Sequence, residues 1–251
     1  MKLDGRRFII TGAASGIGEA VARLFHSEGA KVGILDLDRK RAQSVAEEIG
    51  TGAAFAQTDV SDVASVEAAV AEISKALGGI DGVVNCAGID LVRKFEHTDV
   101  GDWHKLYSVN VFGPVSVCRS ALPYIRKSGN GGTVVNVASA AGLRPLEERS
   151  IYCSSKAALI MFTKVLAVDL ASDGIRANAF CPGITDTPML RRSYEDAPNP
   201  QAELDRILER YLIKRIATAR DMANAILFLS CAESSHMTGS TLNADGGRVF
   251  Y

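Results

Sequence analysis

The chain has 251 residues, of which 47% are hydrophobic, and its 28 basic side chains nearly balance its 29 acidic ones. This length suits one large domain with a sizeable core, and the lack of like-charge blocks argues against a nucleic-acid or membrane-surface partner. The five cysteines form no CxxC pair and the four histidines no HExxH spacing, so we expect neither a disulfide framework nor a metal site. Since we find no signal-peptide segment and no apolar run of transmembrane length, we expect a cytoplasmic protein.

Short apolar runs alternate with amphipathic segments along the chain. The first run, RFIIT, precedes GEAVARLFHSEG, and the second, KVGILD, precedes DRKRAQSVAEEIG. Further apolar runs occur in GAAFAQTDV, GIDGVVNCAG, GGTVVNVAS, IRANAFCPG and GSTLNADGG, and one long helical stretch covers residues 100–129. Strands that are each followed by a helix form right-handed βαβ units. We therefore predict a doubly wound parallel α/β sheet of about seven strands with helices on both faces.

A glycine-rich turn, TGAASGIG, joins the first strand to the first helix. Its glycines permit a tight turn and close approach of the backbone to a phosphate, and the helix N-terminus offers unpaired N–H groups. Asp36 ends the second strand, near the distance at which an acid binds the adenosine ribose hydroxyls. A carboxylate there repels a 2′-phosphate and Ser15 carries no positive charge, while Arg39 and Lys40 suit a solvated helix start. We therefore predict a Rossmann-type fold that binds NAD rather than NADP.

The stretch IYCSSKAALI places Tyr152 four residues before Lys156, so a phenol and an ammonium share one helix face. Ser139 closes the fifth strand, at the carboxyl edge of the sheet where such folds bind ligands. The ordinary pKa of a phenol is about 10, and a nearby ammonium lowers it. Alone, a Tyr-x-x-x-Lys pair is typical of a packed tyrosine and a surface lysine. Together with Ser139, the glycine-rich turn and Asn110, the pair indicates a functional site, in which the Lys156 ammonium is expected to lower the pKa of Tyr152.

These motifs resemble the short-chain dehydrogenase/reductase family over essentially the whole chain. The turn has the family's Thr-Gly-x-x-x-Gly-x-Gly spacing, NCAG at 85–88 is similar to its Asn-Asn-Ala-Gly with a cysteine at the second position, and YSVNVFG contains its asparagine. The resemblance implies a single dinucleotide-binding and catalytic domain over residues 1–251. It also implies a catalytic set composed of Asn110, Ser139, Tyr152 and Lys156.

The resemblance assigns a role to each member of this set. Tyr152 is the general acid/base on the substrate oxygen, and Ser139 holds and polarises the same oxygen. Lys156 also hydrogen-bonds the nicotinamide ribose, and Asn110 supports a water that links Lys156 to solvent. The cofactor site implied by the family motifs comprises Gly12, Ser15, Gly16, Ile17, Gly18, Asp36, Asp59, Val60, Asn85, Ala87, Gly88, Tyr152, Lys156, Pro182, Gly183, Thr185 and Thr187.

Substrate selectivity is expected from the loop before Tyr152 and from a polar, proline-containing insert at 185–214, where such sheets often carry a lid. Within the family, this region resembles the branch of type 2 hydroxybutyrate and 2-keto-3-deoxy-L-fuconate dehydrogenases, in which three arginines hold the substrate carboxylate. Arg149 and Arg210 match two of the three, and the third falls at Ser193, beside Arg192. The predicted substrate residues are Ser139, Arg149, Tyr152, Arg192 and Arg210.

Several functions fit these residues. We expect hydride transfer between NAD and a secondary alcohol, with a small hydroxy acid or sugar acid as the first choice of substrate. A polyol or sugar dehydrogenase and a 3-oxoacyl thioester reductase are alternatives on the same catalytic set. A Ser-His-Asp hydrolase is excluded because no GxSxG elbow is present, and a non-catalytic nucleotide-binding scaffold would be expected to lose the tyrosine, lysine or serine.

The sequence also predicts what the protein binds. Besides a small-molecule substrate, we expect a second copy of the chain, because VFGPVSVCRSALPYI and the Tyr152 helix are more apolar than one sheet face requires. Resemblance to the family implies a homotetramer.

Overall fold

A computed structural model describes residues 1–129, 131–195 and 198–250. Seven strands form one parallel sheet in the order β3-β2-β1-β4-β5-β6-β7. The strands are β1 Arg7–Thr11, β2 Lys31–Asp36, β3 Ala53–Gln57, β4 Gly82–Asn85, β5 Gly132–Val137, β6 Ile175–Pro182 and β7 Thr241–Ala244. This confirms the predicted seven-stranded Rossmann-type sheet.

Nine α-helices flank the sheet within the described residues. They are α1 Gly16–Ser27, α2 Arg39–Ile49, α3 Val63–Leu77, α4 Val100–Tyr107, α5 Gly113–Ser128, α6 Ser150–Asp169, α7 Pro188–Arg191, α8 Pro200–Leu208 and α9 Ala219–Ser230. Helices α1, α2 and α9 pack their apolar residues against one face of the sheet, and α3, α5 and α6 pack theirs against the other face. Because both faces are covered, the central strands are mostly apolar: Phe8, Ile9 and Ile10 of β1 are completely buried.

One predicted helix is divided in two. The sequence predicts one continuous helix over residues 100–129, but the structure places a π-helical segment, Ser108–Phe112, between α4 and α5. A π-turn adds a residue to the helical repeat and is common at functional sites. The interruption falls at Asn110, whose side chain is completely buried.

The insert at 185–214 contains α7 and α8, and its residues Asp196 and Ala197 lie outside the described part of the chain. Its first residues are tied to the body of the fold by a short parallel bridge between Thr185 and Ala217. Its end is tied to the C-terminal segment, where Gly246 O accepts hydrogen bonds from the backbone N–H groups of Leu212 (2.8 Å) and Ile213 (3.0 Å).

Among the described helices, one is long and apolar enough to cross a membrane. It is α6, which carries Tyr152 and Lys156 and packs along β6 and beside β5. Core helices of soluble proteins have the same composition, so this observation is weak support for a membrane span.

The amino end of the sheet is held by a buried ion pair. The Asp81 carboxylate, 1% exposed, accepts two hydrogen bonds from the Arg7 guanidinium (2.7 and 2.9 Å) and one from the Arg7 backbone N–H (2.9 Å). Burial pushes the pKa of Asp81 upward, but the hydrogen bonds and charge of Arg7 outweigh burial, so the pKa lies below its ordinary value. The charged carboxylate therefore stabilises the fold at neutral pH.

We expect Asp81→Asn to lower the free energy of unfolding by about 2–4 kcal/mol at pH 7, because Arg7 is left partly buried without a counter-charge. Urea unfolding measures this, with Glu233→Gln as control, since the Lys2–Glu233 pair (2.8 Å) is about half exposed.

A carboxyl group with a depressed pKa stabilises above its unfolded pKa and stops doing so as the pH falls through its folded pKa. The difference between wild type and Asp81→Asn should thus shrink below about pH 4. Equal effects of the two variants would contradict this account.

Candidate active site

The strand order creates a crevice at the carboxyl end of the sheet. Strands β1 and β4 are neighbours, but the chain leaves β1 toward α1 on one face and β4 toward α4 and α5 on the other. Ligands of open α/β sheets bind at such a switch point. The glycine-rich turn after β1 and the NCAG segment after β4 therefore face each other across it.

The glycine-rich turn fits a dinucleotide phosphate. A Cβ on Gly12 would lie 2.8 Å from Ala87 Cα, and one on Gly18 would lie 2.2 Å from Gly12 O, so only glycine permits this packing. Ser15 occupies the N-cap of α1 in an extended conformation and, among the described residues, makes no side-chain cap hydrogen bond. The first N–H groups of a twelve-residue helix thus point toward the turn, which is how helices bind phosphate.

Asp36 lies at the adenosine end of the crevice. Its carboxylate accepts hydrogen bonds from the backbone N–H groups of Ala14 and Asp38, both at 3.0 Å. The guanidinium of Arg41, not singled out in the sequence, donates to Ala14 O (3.2 Å) but is paired with Glu19 at 3.1 Å. A carboxylate and a guanidinium therefore both contact Ala14 of the turn.

Asn110 joins three parts of the site through one buried amide. Its Oδ1 accepts from Ile89 N and its Nδ2 donates to Ile89 O, both at 2.9 Å. The same Nδ2 donates to Ser155 Oγ on α6 at 3.1 Å. The amide thus holds the loop after β4 against the catalytic helix, and the water implied by the family resemblance stays a prediction.

Ser139, Tyr152 and Lys156 converge at the end of β5, where β5, the turn after it and α6 meet. The hydroxyl of Ser139 is close enough to Tyr152 to lower the pKa of the phenol, and it accepts from Ala141 N at 3.1 Å. Lys156, 4% exposed, donates from Nζ to Val137 O at 2.9 Å, and its Nζ lies 5.8 Å from the centroid of the Tyr152 ring. The structure therefore brings together the serine, tyrosine and lysine predicted from sequence.

Burial moves both titrating groups toward their neutral forms. Burial raises the pKa of Tyr152 to about 12, while the hydrogen bond from Ser139 opposes that rise. Burial likewise lowers the pKa of Lys156 to about 8. The sequence led us to expect that Lys156 lowers the pKa of Tyr152. The structure differs, because desolvation of the phenol dominates and the ammonium is turned toward Val137 O.

Other residues predicted to contact the cofactor lie around the crevice. A Cβ on Gly16 would lie 3.2 Å from the side chain of Thr187, so the start of the insert closes on the glycine-rich turn. A Cβ on Gly183 would lie 2.7 Å from Asp245 Cα. Asn85 is 2% exposed and donates to Asn136 Oδ1 at 2.8 Å, so its side chain joins β4 to β5 inside the sheet. A cofactor contact by the Asn85 side chain stays a prediction.

The three arginines that the sequence predicts to bind substrate lie in different parts of the structure. Arg149 Nε donates to Asp90 Oδ2 at 2.8 Å, close to Tyr152 in sequence and in space. Arg210 is partly exposed, two residues beyond α8. Arg192 lines an open cleft of about 630 Å³ that borders the glycine-rich turn at Gly16. Sequence reasoning missed Asp90, and the signal for it was a carboxylate two residues after the NCAG segment.

The chain is similar to known proteins over nearly its whole length. A family model described as enoyl-(acyl carrier protein) reductase matches residues 12–248. An uncharacterised oxidoreductase from Thermotoga maritima is 40% identical over 250 residues, 98% of each chain. The chain belongs to the short-chain dehydrogenase/reductase family. It is therefore an oxidoreductase.

Two further short-chain dehydrogenases carry a substrate in their names. The meso-2,3-butanediol dehydrogenase of Serratia marcescens is 34% identical over 248 residues, covering 98% of this chain and 96% of the relative. The structure of the aldohexose dehydrogenase of Thermoplasma acidophilum superposes with a TM-score of 0.90 at 32% identity, covering 99% of this chain and 96% of that one.

The sequence led us to expect no metal ion at this site. Within the described residues, no group of three or more histidine, cysteine, aspartate or glutamate side chains could hold a metal ion. The expectation of a metal-free site stays a prediction.

We expect Gly12→Ala to abolish dinucleotide binding, because the new Cβ would push the turn away from Ala87. Gly174→Ala is the matched control: Gly174 has φ +67 against +64 at Gly12, but a Cβ there meets no atom within 4 Å. Both variants should lose about 1–2 kcal/mol of stability from left-handed backbone strain. Titration of NADH fluorescence separates them, and equal affinities in the two variants would refute the close-packed turn.

Proposed function

We propose that this oxidoreductase is an NAD-dependent dehydrogenase that interconverts a secondary alcohol and a ketone. The observation that carries the proposal is that Ser139, Tyr152 and the buried Lys156 come together at the end of β5. A serine and a tyrosine hydroxyl placed together can hold one substrate oxygen between them. The glycine-rich turn that fits a dinucleotide phosphate lies across the same crevice.

Tyr152 is the residue that exchanges the proton. With a pKa of about 12 it is protonated at neutral pH, so it can donate a proton to the oxygen of a ketone. In the oxidation direction it accepts the hydroxyl proton, which higher pH favours. Lys156, with a pKa of about 8, is mostly charged at pH 7, and its Nζ lies 5.8 Å from the centroid of the Tyr152 ring, so it is the nearby positive charge that can favour a phenolate when one forms. A bound nicotinamide supplies the hydride chemistry.

The choice of NAD over NADP rests on Asp36. Its carboxylate is fixed by two backbone N–H groups at the end of β2, where it can accept hydrogen bonds from ribose hydroxyls and repel a phosphate. The nearby cations already have partners: Arg41 bonds Ala14 O and pairs with Glu19, and Arg39 lies over the Phe55 ring, 5.6 Å from its centroid.

For the substrate, the geometry favours the polyol or sugar alternative over a hydroxy acid. A carboxylate substrate was expected to use Arg149, but Asp90 already neutralises this arginine. A carboxylate substrate would therefore meet a neutral ion pair and not a free guanidinium. The similarity to a butanediol dehydrogenase and an aldohexose dehydrogenase supports a neutral substrate with neighbouring hydroxyls.

We also propose that the protein is cytoplasmic and self-associates through α6. Met161, Val165 and Val168 lie on one helix face and are 58%, 51% and 76% exposed. Contiguous exposed apolar side chains mark protein interfaces, and a second copy of the same helix is an apolar surface of matching length. A homotetramer is the assembly that family resemblance implies.

The first test is turnover of NAD and NADP at pH 9 over polyols, sugars, 3-hydroxy acids and simple secondary alcohols. We expect NAD with neutral polyhydroxy substrates to be preferred, and turnover to rise between pH 7 and pH 9.

Tyr152→Phe should reduce kcat by at least about 10²-fold, because the proton-transferring group is lost. Tyr124→Phe, on α5 away from the crevice, is the matched control. Unchanged turnover in Tyr152→Phe would exclude Tyr152 as the proton-transferring group, absence of turnover in the wild type would leave only a nucleotide-binding scaffold, and a preference for hydroxy acids would restore the arginine hypothesis.

The oligomer is tested by Val165→Glu combined with Val168→Glu. A buried charge at a helix–helix interface is costly, so we expect light scattering to show dissociation to a smaller species. Val63→Glu is the control, since Val63 is equally exposed (54%) but stands at the start of α3. Self-association that survives the double substitution would exclude this face.

A further inference from the structure

Asp90 is held in place beside the catalytic helix. It follows Ile89, whose backbone N–H and C=O are both bonded to the buried amide of Asn110. A Cβ on Gly88, two residues earlier, would lie 3.3 Å from Lys156 Nζ. The segment is therefore pressed against Lys156 on one side and tied to Asn110 on the other, so the position of Asp90 relative to the catalytic residues is fixed.

The carboxylate of Asp90 is paired but still accessible. Oδ2 accepts from Arg149 Nε at 2.8 Å, and Oδ1 accepts from Leu91 N at 2.8 Å. The side chains of Asp90 and Arg149 each retain 17% exposure. An ionised carboxylate has about four lone-pair sites, and these bonds use two of them. Asp90 can thus accept further hydrogen bonds from a molecule in the crevice.

The segment that presents Arg149 is strained. Glu148, directly before it, has φ +57 and is the non-glycine residue with positive φ among the described residues. Its carbonyl accepts a hydrogen bond from Arg93 N at 2.7 Å. This contact and the Asp90–Arg149 pair join the loop after β4 to the start of α6. A strained conformation of this kind persists where surrounding contacts enforce it, and such places cluster at ligand sites.

The Asp90–Arg149 ion pair is close enough to Tyr152 for both of its charges to affect the pKa of the phenol. Arg149 is the N-cap of α6, three residues before Tyr152, and the charges of Asp90 and Arg149 act on Tyr152 in opposite directions. The two charges cancel for an approaching anion, whereas the carboxylate oxygens attract an O–H donor. A group with this chemistry beside the substrate oxygen suits an alcohol that has a second hydroxyl.

We propose that Asp90, oriented by Arg149, is a specificity-determining residue that accepts a hydrogen bond from the hydroxyl next to the reacting carbon. The proposal rests on the alcohol dehydrogenase function given above and names the group that selects the substrate class. A site built to bond a hydroxyl discriminates strongly against the analogue that lacks it, because its polar group is then left unpaired.

The test compares meso-2,3-butanediol with 2-butanol, which differ by one hydroxyl, in the wild type, Asp90→Ala and Asp173→Ala. In Asp90→Ala we expect kcat/KM for the diol to fall about 10- to 100-fold, while that for 2-butanol changes less than about 3-fold. Asp173→Ala is the matched control, because Asp173 also pairs with an arginine, Arg126, at 2.8 Å but at the far end of α5. It should leave both values unchanged. NADH titration confirms that each variant still binds the cofactor.

Equal losses on both alcohols in Asp90→Ala would overturn the proposal, since Asp90 would then act on Tyr152 or on the fold. An unchanged diol reaction in Asp90→Ala would overturn it as well. If the wild type oxidises the diol no better than 2-butanol, the inference fails but the alcohol dehydrogenase function stands. If the wild type oxidises neither with NAD, the proposed function has failed, and this inference falls with it.

Discussion

The side-chain amide of Asn110 is the contact on which the arrangement of the site depends. It is completely buried, and its two ends bond the backbone of Ile89 while its nitrogen also bonds Ser155 of the catalytic helix. One group therefore connects the π-helical segment, the loop after β4 and α6. Breaking any of these bonds would leave a buried polar atom unpaired, at a cost of about 1–3 kcal/mol. The positions of Gly88 against Lys156 and of Asp90 against Arg149 follow from this connection.

Burial also determines the charge state of the crevice. It raises the pKa of Tyr152 and lowers that of Lys156, so the acid and the base are both displaced toward their neutral forms. The other two charged groups, Asp90 and Arg149, cancel each other. Of these four groups, Lys156 alone carries an uncompensated charge at pH 7.

Much of this was readable from the sequence. Buried parallel strands appear as continuous apolar runs, so all seven strands were predicted, and Asp38 caps α2 directly before Arg39, where a solvated helix start was expected. Tyr152 and Lys156 share a helix face because their spacing is one turn. The division of the long helix at Asn110 was missed, because a π-turn leaves the apolar pattern on either side nearly unchanged.

The sequence by itself determined the order of elements, the glycine-rich turn and the identity of the serine, tyrosine and lysine, because each depends on residues close together in the chain. Only the tertiary structure decided which charges meet. Asp90 and Arg149 are 59 residues apart and come together because β4 and β5 are neighbours in the sheet. The direction of the Tyr152 pKa shift was decided in the same way, since desolvation depends on everything packed around the phenol and not on the lysine one turn away.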